Sequence, residues 1–152
     1  MNLRVRDKIF LLLMGIGLTY LGISKLFFPS QEGEIDRARV EVAQGRLEVR
    51  VAQDEKTRYQ GLSGVKELPE GAGMLFIHEK PGRYAYVMRG MQFDLDFIFI
   101  KGGRVVDIAR RVAWDYRGEI QGATDYDKVL EVPAGWARQN EVKIGDEIEI
   151  SF

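Results

Sequence analysis

Leu95-Asp96-Phe97-Ile98-Phe99-Ile100-Lys101-Gly102-Gly103-Arg104-Val105-Val106-Asp107-Ile108 is the stretch that decides the fold. From Leu95 to Ile100 both faces of an extended chain are apolar except at Asp96, the pattern of a strand covered on each side. Gly102-Gly103 then offers two residues that tolerate positive φ, as a two-residue hairpin turn requires. The pattern predicts a hairpin over Leu95–Lys101 and Arg104–Val112, set centrally in a sheet.

The flanking sequence continues the theme. Val40 and Val42 alternate with Arg39 and Glu41, and Leu47, Val49 and Val51 alternate with Arg46, Glu48 and Arg50. Gln44-Gly45 joins these runs into a second predicted hairpin. Residues 73–78, 83–88, 128–132 and 147–151 read as further strands. Helix is scarce. Asp54 can cap a short helix over Glu55–Gln60 that ends at Gly61, and Pro133 can open another over 134–140 with Trp136 on its buried face. Short strands parted by glycine turns predict a mainly β domain, a small antiparallel β-barrel or rolled sheet with one or two short helices. Residues 38–152 are long enough for one compact domain and too short for two.

Residues 9–28 are of another kind. Their only charge is Lys25, and Arg4, Arg6 and Lys8 precede them. An α-helix of that length rises about 30 Å, enough to cross the hydrocarbon core of a bilayer. The reading is a basic cytoplasmic N-terminus over 1–8, a single transmembrane signal anchor over 9–28, a linker over 29–37 and an extracytoplasmic domain over 38–152. Secretion after signal cleavage is the alternative. It is disfavoured because the run ends in Leu26-Phe27-Phe28-Pro29 and contains no Ala, where a cleavage site wants small residues.

Composition narrows the chemistry. The chain has no Cys, which excludes disulfides, zinc–thiolate centres and a thiol nucleophile. Lys and Arg total 22 against 23 Asp and Glu, with no basic stripe, so nucleic acid is not an expected partner. His78 is the only histidine, and neither a metal nor a cofactor is expected.

Several blocks of the domain, in order, carry a resemblance: Gly61-Leu62-Ser63-Gly64, Leu68-Pro69-Glu70, Gly73-Met74-Leu75-Phe76, Met88-Arg89, Leu95-Asp96-Phe97-Ile98-Phe99, Gly103-Arg104-Val105-Val106, Val129-Leu130-Glu131-Val132-Pro133-Ala134-Gly135 and Ile144-Gly145-Asp146. In order and spacing the chain resembles the prokaryotic family called domain of unknown function 192. The resemblance implies a small, mainly β domain, often behind an export signal, with no activity established for the family at large. Where the family usually has Lys-Asn-Thr, this chain has Arg89-Gly90-Met91, which keeps the charge and removes two polar side chains. An Arg usual shortly after the Gly-Leu pair is Val65 here.

Among candidate site residues, Asp96 stands out, because a carboxylate inside an apolar strand needs a partner. Arg89 is the expected one and Arg58 the second. Asp94 belongs to the loop entering the strand, His78 reads as a strand-end surface residue, and Ser63 lacks the setting of a nucleophile elbow. Trp114 and Tyr116 stand in an irregular, polar stretch suited to a binding groove; Trp114 could equally plug the barrel end. No catalytic signature is present. The expected function is a membrane-anchored module of the cell envelope that binds a small ligand, a polymer or a protein through Arg89, Asp96, Arg58, Trp114 and Tyr116. The alternative is a hydrolase-type enzyme acting on an envelope polymer or small molecule through Asp96.

Overall fold

The computed structural model describes residues 36–152. One sheet holds strands β1 Arg37–Val42, β2 Gly45–Ala52, β3 Ala72–Gly82, β4 Leu95–Lys101, β5 Arg104–Val112, β6 Tyr126–Pro133 and β7 Ile148–Ser151. The helices are α1, Glu55–Gln60, and α2, Trp136–Gln139. Strand order is β5-β4-β6-β3-β2-β1-β7. The sheet curls into a half-barrel whose end strands touch at one rim. There the Val105 N–H donates to the Asp146 carbonyl at 2.9 Å and the Ile148 N–H to the Gly103 carbonyl at 3.0 Å, while Arg104 pairs with Glu147.

The β4–β5 hairpin forms as its glycines predict, with Gly102 and Gly103 at φ 56° and 76°. Strand β4 is paired on both sides, with β5 and β6, and is buried from Leu95 to Ile100. Its two apolar faces serve two clusters. Ile98 and Ile100 join Leu130, Val132, Leu75 and the valines of β1 and β2 on the concave side, where Trp136 of α2 packs among them. Phe97 and Phe99 join Val129, Met74 and Phe76 on the other side, beneath Leu62, Tyr86, Met88, Met91 and Ile120 from the connecting segments. Each such side chain contributes about 1.5–3 kcal/mol by leaving water, so both layers matter to stability.

Three expectations are corrected. β2 and β3 run parallel, because the segment 53–71, which carries α1, crosses over before β3 begins. Residues 83–88 do not enter the sheet: Tyr86 alone bridges to Ile120, and Tyr84, Tyr86 and Met88 turn onto the outer layer. Pro133 closes β6, and α2 begins only after Gly135, at φ 94°. Helix α1 keeps its predicted span, with Asp54 accepting the Thr57 N–H at 2.9 Å. The apolar run 9–28 and the residues around it up to 35 lie outside the described residues. Among those described, no helix is long and apolar enough to cross a membrane.

Asp96 points to the concave side and is wholly buried. Opposite it β5 bulges, since Leu95 pairs with Val112 but Phe97 with Ala109. Arg111 in the bulge sits at φ 53°, and its N–H donates to Asp96 Oδ1 at 2.7 Å. The N–H groups of Gly135 and Ala137 donate to Oδ2, both at 3.0 Å. Neither expected arginine is a partner. Three backbone amides already satisfy the carboxylate, and in doing so they tie the bulge and the start of α2 to β4. Asp96→Ala would strand two buried donors at about 1–3 kcal/mol each and a third, the Arg111 N–H, that is only part-buried, so urea unfolding should show a loss on the order of 2–6 kcal/mol. Asp96→Asn should fall between the two, and an unchanged midpoint for the Ala variant would contradict this role.

Candidate functional site

The outer layer is incomplete. Between α1, the loop 61–64 and the segment 84–91 a cavity of about 340 Å³ opens onto the convex face of β3 and β6. Its apolar wall includes Leu62, Phe76, Met88, Met91 and Leu95; its polar lining includes Arg58, Arg89, His78, Tyr84, Tyr86 and Glu131.

Glu131 follows from the alternation along β6. It shares the outward face with Val129 and is paired across the sheet with Phe97 and Met74. Burial alone pushes its carboxyl up to about 8, and among the described residues no hydrogen bond or ion pair reaches it. At neutral pH it is a protonated acid with its O–H free to donate. Next to it stands an aromatic group built on β3 and the segment 84–86. His78 Nε2 lies 2.8 Å from Tyr86 Oη, and the His78 ring stacks on Tyr84 at 3.6 Å. Phe76 and Phe97 meet the Tyr86 ring edge-on at 5.2 and 6.0 Å. Burial, with Arg58 adding, holds His78 down at about 4 against a weaker opposing pull from Asp127, so the imidazole is neutral. Burial first, and Glu131 second, raise the Tyr86 phenol.

The rim is set by backbone contacts. Arg58 Nη1 donates to the carbonyls of Gln53 and of Ile77, the latter at 3.1 Å. Arg89 donates to the Tyr59 carbonyl at 3.2 Å and lies 4.3 Å over the Tyr59 ring. Gly90, at φ 71°, lets the two lips meet: Ser63 Oγ donates to the Arg89 carbonyl at 2.7 Å and the Gly64 N–H to the Gly90 carbonyl at 3.0 Å.

Of the residues singled out in the sequence, Arg58 and Arg89 come together here. Asp96, Trp114 and Tyr116 do not line this cavity. Trp114 and Tyr116 are 52% and 47% exposed, so Trp114 plugs nothing, and its N–H donates to Asp94 Oδ1 at 2.9 Å. His78 is half-buried and engaged with Tyr86 instead of being a surface residue. Glu131, Tyr84 and Tyr86 line the cavity and are not among the residues singled out from the sequence. Glu131 carries the same signal as Asp96, a charge within Val129-Leu130-Glu131-Val132, and the phase of Tyr84, Tyr86 and Met88 marks a face turned inward. Among the described residues no three His, Asp or Glu side chains gather as a metal site would need.

A family model, DUF192, described as an uncharacterized ACR, matches residues 38–150. Two solved structures are similar to the chain. One is a candidate transcription regulator from Sinorhizobium meliloti 1021, 26% identical with a TM-score of 0.74, covering 78% of this chain and 96% of that one. The other is a protein of unknown function from Novosphingobium aromaticivorans DSM 12444, 27% identical with a TM-score of 0.71, covering 80% of this chain and 89% of that one. No curated protein matches the chain.

Glu131 and His78 act on stability in opposite senses. Glu131 keeps its proton up to about 8 when folded and only to 4.5 when unfolded, so stability falls as pH rises through that interval. His78 stays neutral down to about 4 when folded and to 6.5 when unfolded, so stability falls as pH drops through its interval. Above pH 6.5 Glu131 acts alone. Glu131→Gln should therefore remove a decline of about 2 kcal/mol between pH 6.5 and 8, read from urea midpoints. A variant that keeps the whole decline would show that another group causes it.

Proposed function

Since the chain belongs to the DUF192 family, we propose that it is a small-molecule-binding module whose site is the cavity floored by Glu131, held at the outer face of the cell membrane by residues 9–28. One observation carries the reading: a carboxyl only 6% exposed faces an open cavity with no hydrogen bond or ion pair from the described residues. A lone buried acid costs stability that an apolar residue would not, and a ligand bearing a hydrogen-bond acceptor offsets that cost when it binds. The volume lies at the lower end of the range for small-ligand sites, and the mixed apolar and polar lining is typical of them.

Rival readings have less behind them. Hydrolysis through Asp96 loses its support, because that carboxylate is taken up by three backbone amides away from the cavity. A regulator of transcription, the description attached to the Sinorhizobium protein, gains nothing from a chain whose net charge is −1. The extracytoplasmic placement rests on the apolar segment and its basic flank.

Methyl-labelled methionine makes the site observable. A screen of small molecules of mixed charge should yield one that saturably shifts the Met88 and Met91 methyl signals and leaves the Trp114 indole signal in place. Hits confined to Trp114 would move the site to the other surface and sink this reading. For placement, a reporter fused after Phe152 should be active only outside the cytoplasm; activity only inside would reverse the topology.

A further inference from the structure

Resting on the cavity reading, but on a separate observation, we infer that the ligand is a small oxyanion with an apolar body: a carboxylate or phosphate head held between Arg58 and Arg89, and a body lying on Leu62, Phe76, Met88 and Met91.

The separate observation is the state of the two arginines. The ion pairs among the described residues involve Arg39, Arg46, Arg104 and Lys128, and none engages Arg58 or Arg89. Each is instead aimed by neutral groups: Arg58 by the carbonyls of Gln53 and Ile77, Arg89 by the Tyr59 carbonyl and ring. A carbonyl oxygen orients a guanidinium without cancelling its charge. Each guanidinium also has five N–H donors, of which these contacts use only one or two. The only acid in the lining is Glu131, whose burial keeps it neutral at ordinary pH. The cavity is thus lined by two guanidinium groups without a close ion pair, Arg58 within the field of the Asp54 cap, and by no acid ionised at ordinary pH.

This arrangement selects among ligands. A cation would meet two like charges, and a neutral molecule would leave both guanidinium groups without a close ion pair. An oxyanion accepts charge-assisted, potentially bidentate bonds from guanidinium groups whose side chains are already fixed, so little ordering entropy is lost on binding. The body is bounded by the cavity of about 340 Å³, which equals the bulk volume of about eleven waters at ~30 Å³ each. Polymers and long lipids are therefore excluded from full burial, and a compact amphiphilic anion fits. Within such a body, a carbonyl or hydroxyl oxygen would meet the Glu131 O–H.

Four probes share one apolar body and differ in head: phenylacetate, phenyl phosphate, 2-phenylethanol and 2-phenylethylamine. They would be titrated into the full chain in a neutral maltoside detergent, with the Met88 and Met91 methyl signals as readout. At least one of the two anions should bind tenfold or more tightly than the alcohol and the amine, and the tighter anion names the head group. Arg58→Gln and Arg89→Gln should each weaken that anion at least fivefold while leaving the alcohol unchanged, and Arg89→Lys should recover part of the loss. Alcohol or amine binding as tightly as the anions would overturn the inference and leave the cavity reading standing. So would arginine variants that bind the anion as the parent does. Failure of all four probes to move the methyl signals would overturn both.

Discussion

Strand β6 and its neighbours β4 and β3 are covered on both faces over much of their length, so an ionisable side chain placed there must find its partner within the protein. Two carboxyls meet that constraint in opposite ways. Asp96 faces the concave side and receives three backbone N–H groups, which makes it part of the framework. Glu131 faces the convex side and receives none, and its burial favours the protonated form. One carboxyl is consumed by the fold; the other is left over.

What surrounds Glu131 follows from how the convex face is covered. A parallel β2–β3 pair forces a crossover, and that crossover delivers α1 and the loop 61–64 over the sheet. The segment 83–88 comes over from the other side, held by the Tyr86–Ile120 bridge and by mutual hydrogen bonds between Tyr84 and Tyr126. The two covers touch through Ser63 and Gly90 but do not close, and Arg58 and Arg89 stand at the gap. Charge at the mouth, rings along the side and an acid at the floor are therefore consequences of topology as much as of residue choice.

Much of this was legible in the sequence, and the illegible parts have physical reasons. The β4–β5 and β1–β2 hairpins declare themselves because alternation and turn residues are local signals, as is the Asp54 cap. The parallel pairing of β2 with β3 has no local signature. Alternation over 83–88 reports correctly which residues turn inward, but it cannot distinguish a paired strand from a strap lying across a sheet. Asp96 is conspicuous as a charge in an apolar run, yet its donors are backbone groups of a bulge and a four-residue helix, which side-chain chemistry does not reveal. Glu131 is equally conspicuous. Its meaning emerges only when the fold shows that no donor reaches it.

The chemistry proposed for the cavity depends on the protonation of Glu131 in the ligand-free protein. A carbon-13 titration of its side-chain carboxyl reads that state directly. The predicted midpoint is about 8, well above the ordinary 4.5 for a glutamate. A midpoint near 4.5 would mean that the carboxylate is solvated or paired, and the cavity would then lose the neutral acid on which its proposed chemistry depends.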